Sequence, residues 1–166
     1  MVKLATLREY AMHKDGTYVA ASLDNESKTK LDTFVRDNLK LTERVKADSY
    51  HITIIYSRTP VPSAEKVKGM IPDGTATIVG YEIFPTKNDG KCLVARLSFP
   101  FANDLNARLT KEGATSDYSE YKPHMTLAYD TEQDIDISKL PIPTFPLSFM
   151  PVTVEPLDPE FVPSNA

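Results

Sequence analysis

Residues 50–56 read Tyr50-His51-Ile52-Thr53-Ile54-Ile55-Tyr56, and residues 123–129 read Pro123-His124-Met125-Thr126-Leu127-Ala128-Tyr129. The two stretches share a His-x-Thr pattern and hold two of the chain's three histidines. In an extended strand successive side chains point to opposite faces. His51 and Thr53 therefore share one face, with Ile52, Ile54 and Tyr56 on the other; His124 and Thr126 likewise oppose Met125, Leu127 and Tyr129. Each strand offers an imidazole and a hydroxyl above an apolar face, and two such faces brought together make a site. The same alternation sends Tyr56 and Tyr129 to the core and sets Ser57 and Asp130 on the face of the histidines.

Outward from these strands the chain repeats an order. Residues 17–23 read as a strand with Val19, Ala21 and Leu23 on one face and Tyr18, Ala20 and Ser22 on the other. Asp24 or Asn25 caps a helix over Glu26 to Leu39, where Leu31, Phe34, Val35 and Leu39 recur at helical spacing and Lys28, Lys30, Asp32, Arg36 and Asp37 face solvent. The strand of His51 follows, ended by Pro60 and Pro62; Ser63 to Lys68 is expected as a short helix, and Pro72-Asp73-Gly74 turns into a strand at about 75–84. Cys92 to Phe99 is then a strand, Ala102 to Lys111 a helix presenting Phe101, Leu105 and Leu109, and the strand of His124 comes next. From strand start to histidine is 33 residues in the first half (18 to 51) and 31 in the second (93 to 124). The reading is an α+β fold of duplicated strand-helix-strand halves, about 17–84 and 85–155, within a single domain spanning 1–166. Such halves, related by a pseudo-two-fold axis, place His51 and His124 opposite one another in a central cleft. Leu147 to Val154 offers one more strand, and Pro141, Pro143, Pro146, Pro151, Pro156, Pro159 and Pro163 make the surrounding tail an extended wrap.

Composition narrows the function. The 166 residues carry a formal net charge of −4, which argues against a protein that coats long DNA or RNA, since that affinity rests on many Lys and Arg contacts to phosphate. A small anionic ligand in a local pocket remains compatible. No apolar run approaches a membrane span and Met1 to Arg8 lacks a signal-peptide pattern, so a soluble, unexported protein is expected. The single cysteine, Cys92, excludes an internal disulfide framework, suits a reducing compartment and, inside an apolar run, is a poor candidate nucleophile.

Two imidazoles across a cleft suit one phosphodiester. An unperturbed histidine titrates near pH ~6.5, so one ring can take a proton while the other gives one. Thr53 and Thr126 would donate hydrogen bonds to non-bridging phosphate oxygens as charge builds on a five-coordinate phosphorus. Attack by the substrate's own ribose 2′-hydroxyl gives a 2′,3′-cyclic phosphate and a free 5′-hydroxyl, with no metal or other cofactor required. A zinc site from His51, His124 and His13 is the rival chemistry, but none of the tight His or Cys ligand spacings occurs. Strand phase sends Tyr18, Ser22 and Arg96 toward the cleft, where Arg96 could balance phosphate charge and Tyr18 could stack on a base. Tyr10, Tyr118, Tyr121 and Lys122 flank the core as candidate ligand contacts or an aromatic lid, or as ordinary surface residues. In the last strand Glu155 could accept from a base edge or simply face solvent.

The motifs His51-Ile52-Thr53 and His124-Met125-Thr126, in two strand-helix-strand halves over about residues 17–155, resemble the 2H phosphoesterase superfamily. Within it, the segments around the motifs and the compact size look like the phage anti-CBASS phosphodiesterases, which destroy the cyclic oligonucleotide messengers of a bacterial antiviral defence. The resemblance implies a bilobal, mainly antiparallel two-sheet fold with a central cleft, and catalysis in the cytoplasm of an infected cell. It implies metal-free chemistry by His51 and His124 with phosphate contacts from Thr53 and Thr126, and nucleotide contacts from Glu155 and from Tyr10 or Tyr18. Its implied substrates are 3′,5′-linked cyclic di- and trinucleotides, opened to linear products. RNA-ligase-like members often carry an arginine three residues after the motif threonine; Tyr56 and Tyr129 stand there instead, which speaks against RNA ends. Three other readings use the same cleft: a 2′,5′-oligoadenylate phosphodiesterase, a 2′,3′-cyclic phosphodiesterase, and a non-catalytic sponge for cyclic nucleotides. The pattern leaves open which histidine is the base, the base preference and ring size, and the oligomeric state.

Overall fold

The structure, a computed structural model, describes residues 14–86 and 90–161; Tyr10 and His13 lie outside the described residues. In chain order the elements are β1 (Thr17–Ser22), α1 (Asn25–Asn38), β2 (His51–Ser57), β3 (Thr77–Pro85), β4 (Lys91–Ser98), α2 (Pro100–Lys111), β5 (His124–Thr131) and β6 (Thr153–Pro156). The helices start where local chemistry puts them. Asp24 is the N-cap of α1, its carboxylate accepting from the Ser27 N–H at 2.8 Å, which satisfies one of the amides a helix start leaves unpaired. Pro100 opens α2, where its missing N–H costs nothing. Leu31 and Val35 of α1, and Ala102, Leu105 and Leu109 of α2, are buried on the faces their spacing selects.

The strands run β3-β4-β5-β2-β1-β6, every neighbouring pair antiparallel. They form two three-stranded sheets, β3-β4-β5 and β2-β1-β6, joined where β5 and β2 meet at the single pair Ile52 and Met125. Both of those side chains are buried in the shared core. The strand-helix-strand repeat is present in each half, but the outer strands are exchanged: β3, from the first half of the chain, pairs with β4, and β6, from its end, pairs with β1. The expected boundary near residue 84 therefore falls within β3.

Two expected elements change character. Residues 62–67 form a short 3₁₀ helix opened by Pro62 rather than a regular α-helix, and six residues are about two turns of it. Only the end of the expected 147–154 strand enters a ladder. Leu147 and Phe149 make isolated bridges to Ala76 and Leu23, and continuous pairing begins at Thr153, after Pro146 and Pro151 have removed two donors.

Candidate active site

Both His-x-Thr strands carry the same irregularity. Along β1 the partners of Val19 and Ala20 are Ile55 and Thr53, so Ile54 is an extra residue in β2; along β4 the partners of Leu93 and Val94 are Ala128 and Thr126, so Leu127 is its counterpart in β5. A bulge inserts one unpaired residue and reverses the phase of everything after it. Ile54 and Ile55 are both buried, as are Leu127 and Ala128. Tyr56 and Tyr129, expected in the core, stand on the same face as the histidines, with Tyr56 40% exposed, while Ser57 is turned inward and fully buried. Asp130 is exposed at a positive φ of 51°, and its carboxylate accepts from the Thr86 hydroxyl.

A bulge also frees a carbonyl from the ladder, and here each one finds an outside donor. The Asn106 side chain on α2 donates to the Ile54 carbonyl at 2.8 Å, and the Val45 N–H donates to the Leu127 carbonyl at 2.8 Å. Asn106→Leu removes the first donor at similar volume and leaves a buried acceptor unpaired, an expected loss of about 1–3 kcal/mol in a urea melt. An unchanged midpoint would mean that the bulge does not depend on this bond.

The two histidines are held alike. His51 Nδ1 lies 2.8 Å from the Ser49 carbonyl and His124 Nδ1 lies 2.9 Å from the Lys122 carbonyl, in each case two residues upstream. A carbonyl only accepts, so each Nδ1 carries the proton in that bond and Nε2 is left to exchange a proton with a ligand. The register at Ile52 and Met125, continued one residue either way, sets His51 beside Thr126 and Thr53 beside His124. The four residues expected to carry the chemistry are thus gathered around the junction of the sheets, on the face opposite the core.

Around them the face is polar on one side and mixed on the other. Tyr18, opposite Tyr56 across the β1–β2 ladder, hydrogen-bonds Thr53 Oγ1 through its hydroxyl at 3.1 Å and meets the Tyr56 ring edge-on at 6.4 Å. Burial raises the pKa of Tyr18, with the Thr53 bond opposing it. Glu155 is the cross-strand neighbour of Tyr18 on β6. In the other sheet Cys92 stands where Tyr18 stands in the first, its thiol bonded to Thr126, and Tyr129 bonds the same hydroxyl. Burial pushes the Cys92 thiol up, which keeps it protonated and a weak nucleophile. Arg96 is the ladder partner of His124, as expected of a residue on this face, but its guanidinium is ion-paired with Glu82 on β3. Ser22 holds the corresponding place beside His51.

The remaining expected contacts divide. Lys122 is exposed and supplies its carbonyl to His124. Tyr121 is fixed rather than lid-like, its hydroxyl donating to the Thr53 carbonyl at 2.8 Å, whereas Tyr118 is 78% exposed. Arg58, over the Tyr56 ring, clamps Asp117 through two bonds of 3.1 and 3.0 Å and holds that carboxyl below its usual range, tying the 113–121 loop to the end of β2. Phe84, opposite Cys92 on β3, presents its ring to His124 at 5.9 Å, a contact that local sequence does not signal because it depends on which strand pairs with β4. Two surface cavities, about 290 Å³ along α2 and about 380 Å³ between α1 and Phe145, contain neither histidine. Among the described residues no three His, Cys, Asp or Glu side chains converge as a metal-ligand cluster, and no helix is long and apolar enough to cross a membrane.

The two strand-borne His-x-Thr motifs thus stand on one face where the paired antiparallel sheets join. The chain belongs to the anti-CBASS Acb1 family, whose model, described as "Anti-CBASS protein Acb1", matches residues 15–164. It is 31% identical over 156 residues to the anti-CBASS protein Acb1 of Vibrio phage KVP40, covering 93% of this chain and 95% of that protein. Its identity to the anti-CBASS protein Acb1 of Acinetobacter phage Ac42 is 30% over 141 residues, covering 84% and 85%. In fold it is similar to the crystal structure of TT0787 from Thermus thermophilus, with a TM-score of 0.53 at 15% identity over 84% of this chain and 83% of that one.

Proposed function

We propose that this protein is a metal-independent phosphodiesterase that opens 3′,5′-linked cyclic di- and trinucleotides in the cytoplasm of an infected bacterium and so blunts CBASS signalling. The observation that carries the reading is the matched pair of imidazoles, each with Nδ1 engaged by a backbone carbonyl and each flanked by a motif threonine, in a chain of the anti-CBASS family. The neutral ring accepts the ribose 2′-hydroxyl proton at Nε2 while O2′ attacks phosphorus. The O2′–P bond forms, the P–O5′ bond breaks, and the protonated ring delivers its proton to O5′. Thr53 and Thr126 donate to the non-bridging oxygens, whose charge grows in the transition state. The first product is linear, with a 2′,3′-cyclic phosphate and a free 5′-hydroxyl; addition of water across that ring leaves a terminal phosphomonoester. Tyr18, Glu155 and Lys122, together with Tyr10, would be the ligand contacts.

The deciding experiment incubates the purified protein with 3′,3′-cyclic GMP-AMP and cyclic tri-adenylate in excess chelator, with products identified by mass spectrometry. Linear products bearing a 3′-phosphate or a 2′,3′-cyclic phosphate are expected. Intact substrate would overturn the proposal and move the function to 2′,5′ linkages, RNA ends or sequestration.

A further inference from the structure

Thr126 carries the second motif hydroxyl, and a hydroxyl has one proton to give and two lone pairs that receive. To hold a phosphate oxygen it must aim that single proton at the ligand, so other groups have to fill its acceptor sites. Two side chains on the same face bond it: Tyr129, three residues further along β5, and Cys92 of β4. In a regular strand, residues three apart point to opposite faces. Leu127, the extra residue of the bulge, brings Tyr129 back to the face of Thr126, and the pairing of Leu93 with Ala128 sets Cys92 alongside.

Both groups are donors at neutral pH. Burial raises the pKa of the Tyr129 phenol and of the Cys92 thiol, so each keeps its proton. The phenol is the stronger of the two donors, a thiol being a weak one. Tyr129 is half-buried and its ring packs against the core, which fixes its hydroxyl before any ligand arrives. The first half of the chain reaches the same end by another route. There Tyr18, from β1, bonds Thr53 Oγ1 at 3.1 Å, and Tyr56, the counterpart of Tyr129, meets the Tyr18 ring edge-on instead. Each motif threonine thus has a tyrosine hydroxyl on it, one supplied by the neighbouring strand and the other by its own.

We propose that Tyr129 is a positioning residue for catalysis: its hydroxyl donates to Thr126 Oγ1 and so turns the Thr126 proton toward a non-bridging phosphate oxygen. The inference rests on the phosphodiesterase reading above and adds a residue to the machinery of that site. It also gives the β5 bulge a function, since an unbulged strand would carry Tyr129 to the core face. Without the phenol, Thr126 is free to rotate and direct its proton elsewhere. The loss falls on kcat rather than on binding, because charge on the phosphate oxygen grows only in the transition state.

The test is a double-mutant cycle between Tyr129→Phe and Thr126→Ala, read with 3′,3′-cyclic GMP-AMP. Tyr129→Phe keeps the ring in the core and should lower kcat by about tenfold, with KM within about twofold and the circular dichroism spectrum unchanged. Thr126→Ala should lower kcat by about 10²–10³-fold. Adding Tyr129→Phe to it should change kcat by no more than about twofold, since the phenol then has no hydroxyl to aim. A merely structural tyrosine would cost the same factor in both backgrounds. Calorimetric binding of the adenosine–vanadate complex, whose five-coordinate vanadium stands for the transition-state phosphorus, runs the same cycle without turnover. A full tenfold loss in the Thr126→Ala background, or no effect of Tyr129→Phe on kcat, overturns the inference. A wild type that cleaves no cyclic nucleotide overturns the proposed function, and the vanadate cycle then decides Tyr129: an affinity loss that disappears in the Thr126→Ala background upholds its role, and any other pattern overturns it.

Discussion

Alanine at His51 or at His124 should lower turnover of a cyclic dinucleotide by about 10²–10⁴-fold, with KM nearly unchanged. The expectation follows from the division of labour in the site. In the proposed mechanism one ring removes the 2′-hydroxyl proton and the other protonates O5′ in the same displacement, so neither would substitute for its partner. The double variant should fall little further than the worse single one, because residues that act as a unit are not additive. Ligand affinity should persist in all three, since Tyr18, Glu155 and Lys122 remain. Isothermal calorimetry beside a chromatographic assay separates the two quantities. Full activity in either single variant would end the two-histidine mechanism, whereas a wild type that binds the ligand without turning it over would favour sequestration.

The largest structural effect is expected at the seam. Ile52→Ala and Met125→Ala each empty a fully buried position where β2 and β5 make their single paired contact. Core truncations of this kind cost about 2–5 kcal/mol, which for a chain of this size lowers Tm by roughly 5–20 °C. Activity should fall beyond what unfolding explains, because these side chains lie between the strands that carry both histidines and set their mutual position. Leu31→Ala is the control, since Leu31 is equally buried but belongs to α1, away from the seam. It should cost similar stability while the folded fraction keeps its full kcat. If all three variants retain wild-type kcat per folded molecule, the seam has no role in aligning the site.

Hydrophobic spacing locates α1, β1, β4 and α2, because each is an amphipathic segment whose buried face is written in local sequence. The same spacing misplaces the two motif tyrosines for an equally local reason. Strict alternation does not hold through Ile54-Ile55 and Leu127-Ala128, where two apolar residues in succession are the available sign of a bulge. That sign occurs at the same place in both motifs, so the repeat itself holds the information. The β3 contacts have no such sign. Glu82 and Phe84 reach the cleft only because β3 leaves its own half and pairs with β4.

The sequence by itself determined the α+β class, the duplicated order and the identity of the four residues around the sheet junction, since each depends on side-chain chemistry and on periods of 2 or 3.6 residues along the chain. Tertiary structure alone decided which tyrosines line the cleft, that Arg96 is neutralised by Glu82, and that Asn106 and Val45 secure the bulges. These are meetings of residues 14 to 82 positions apart, set by strand order and register. No local periodicity encodes such a meeting, because its free energy exists only once the two sheets have closed on a common core.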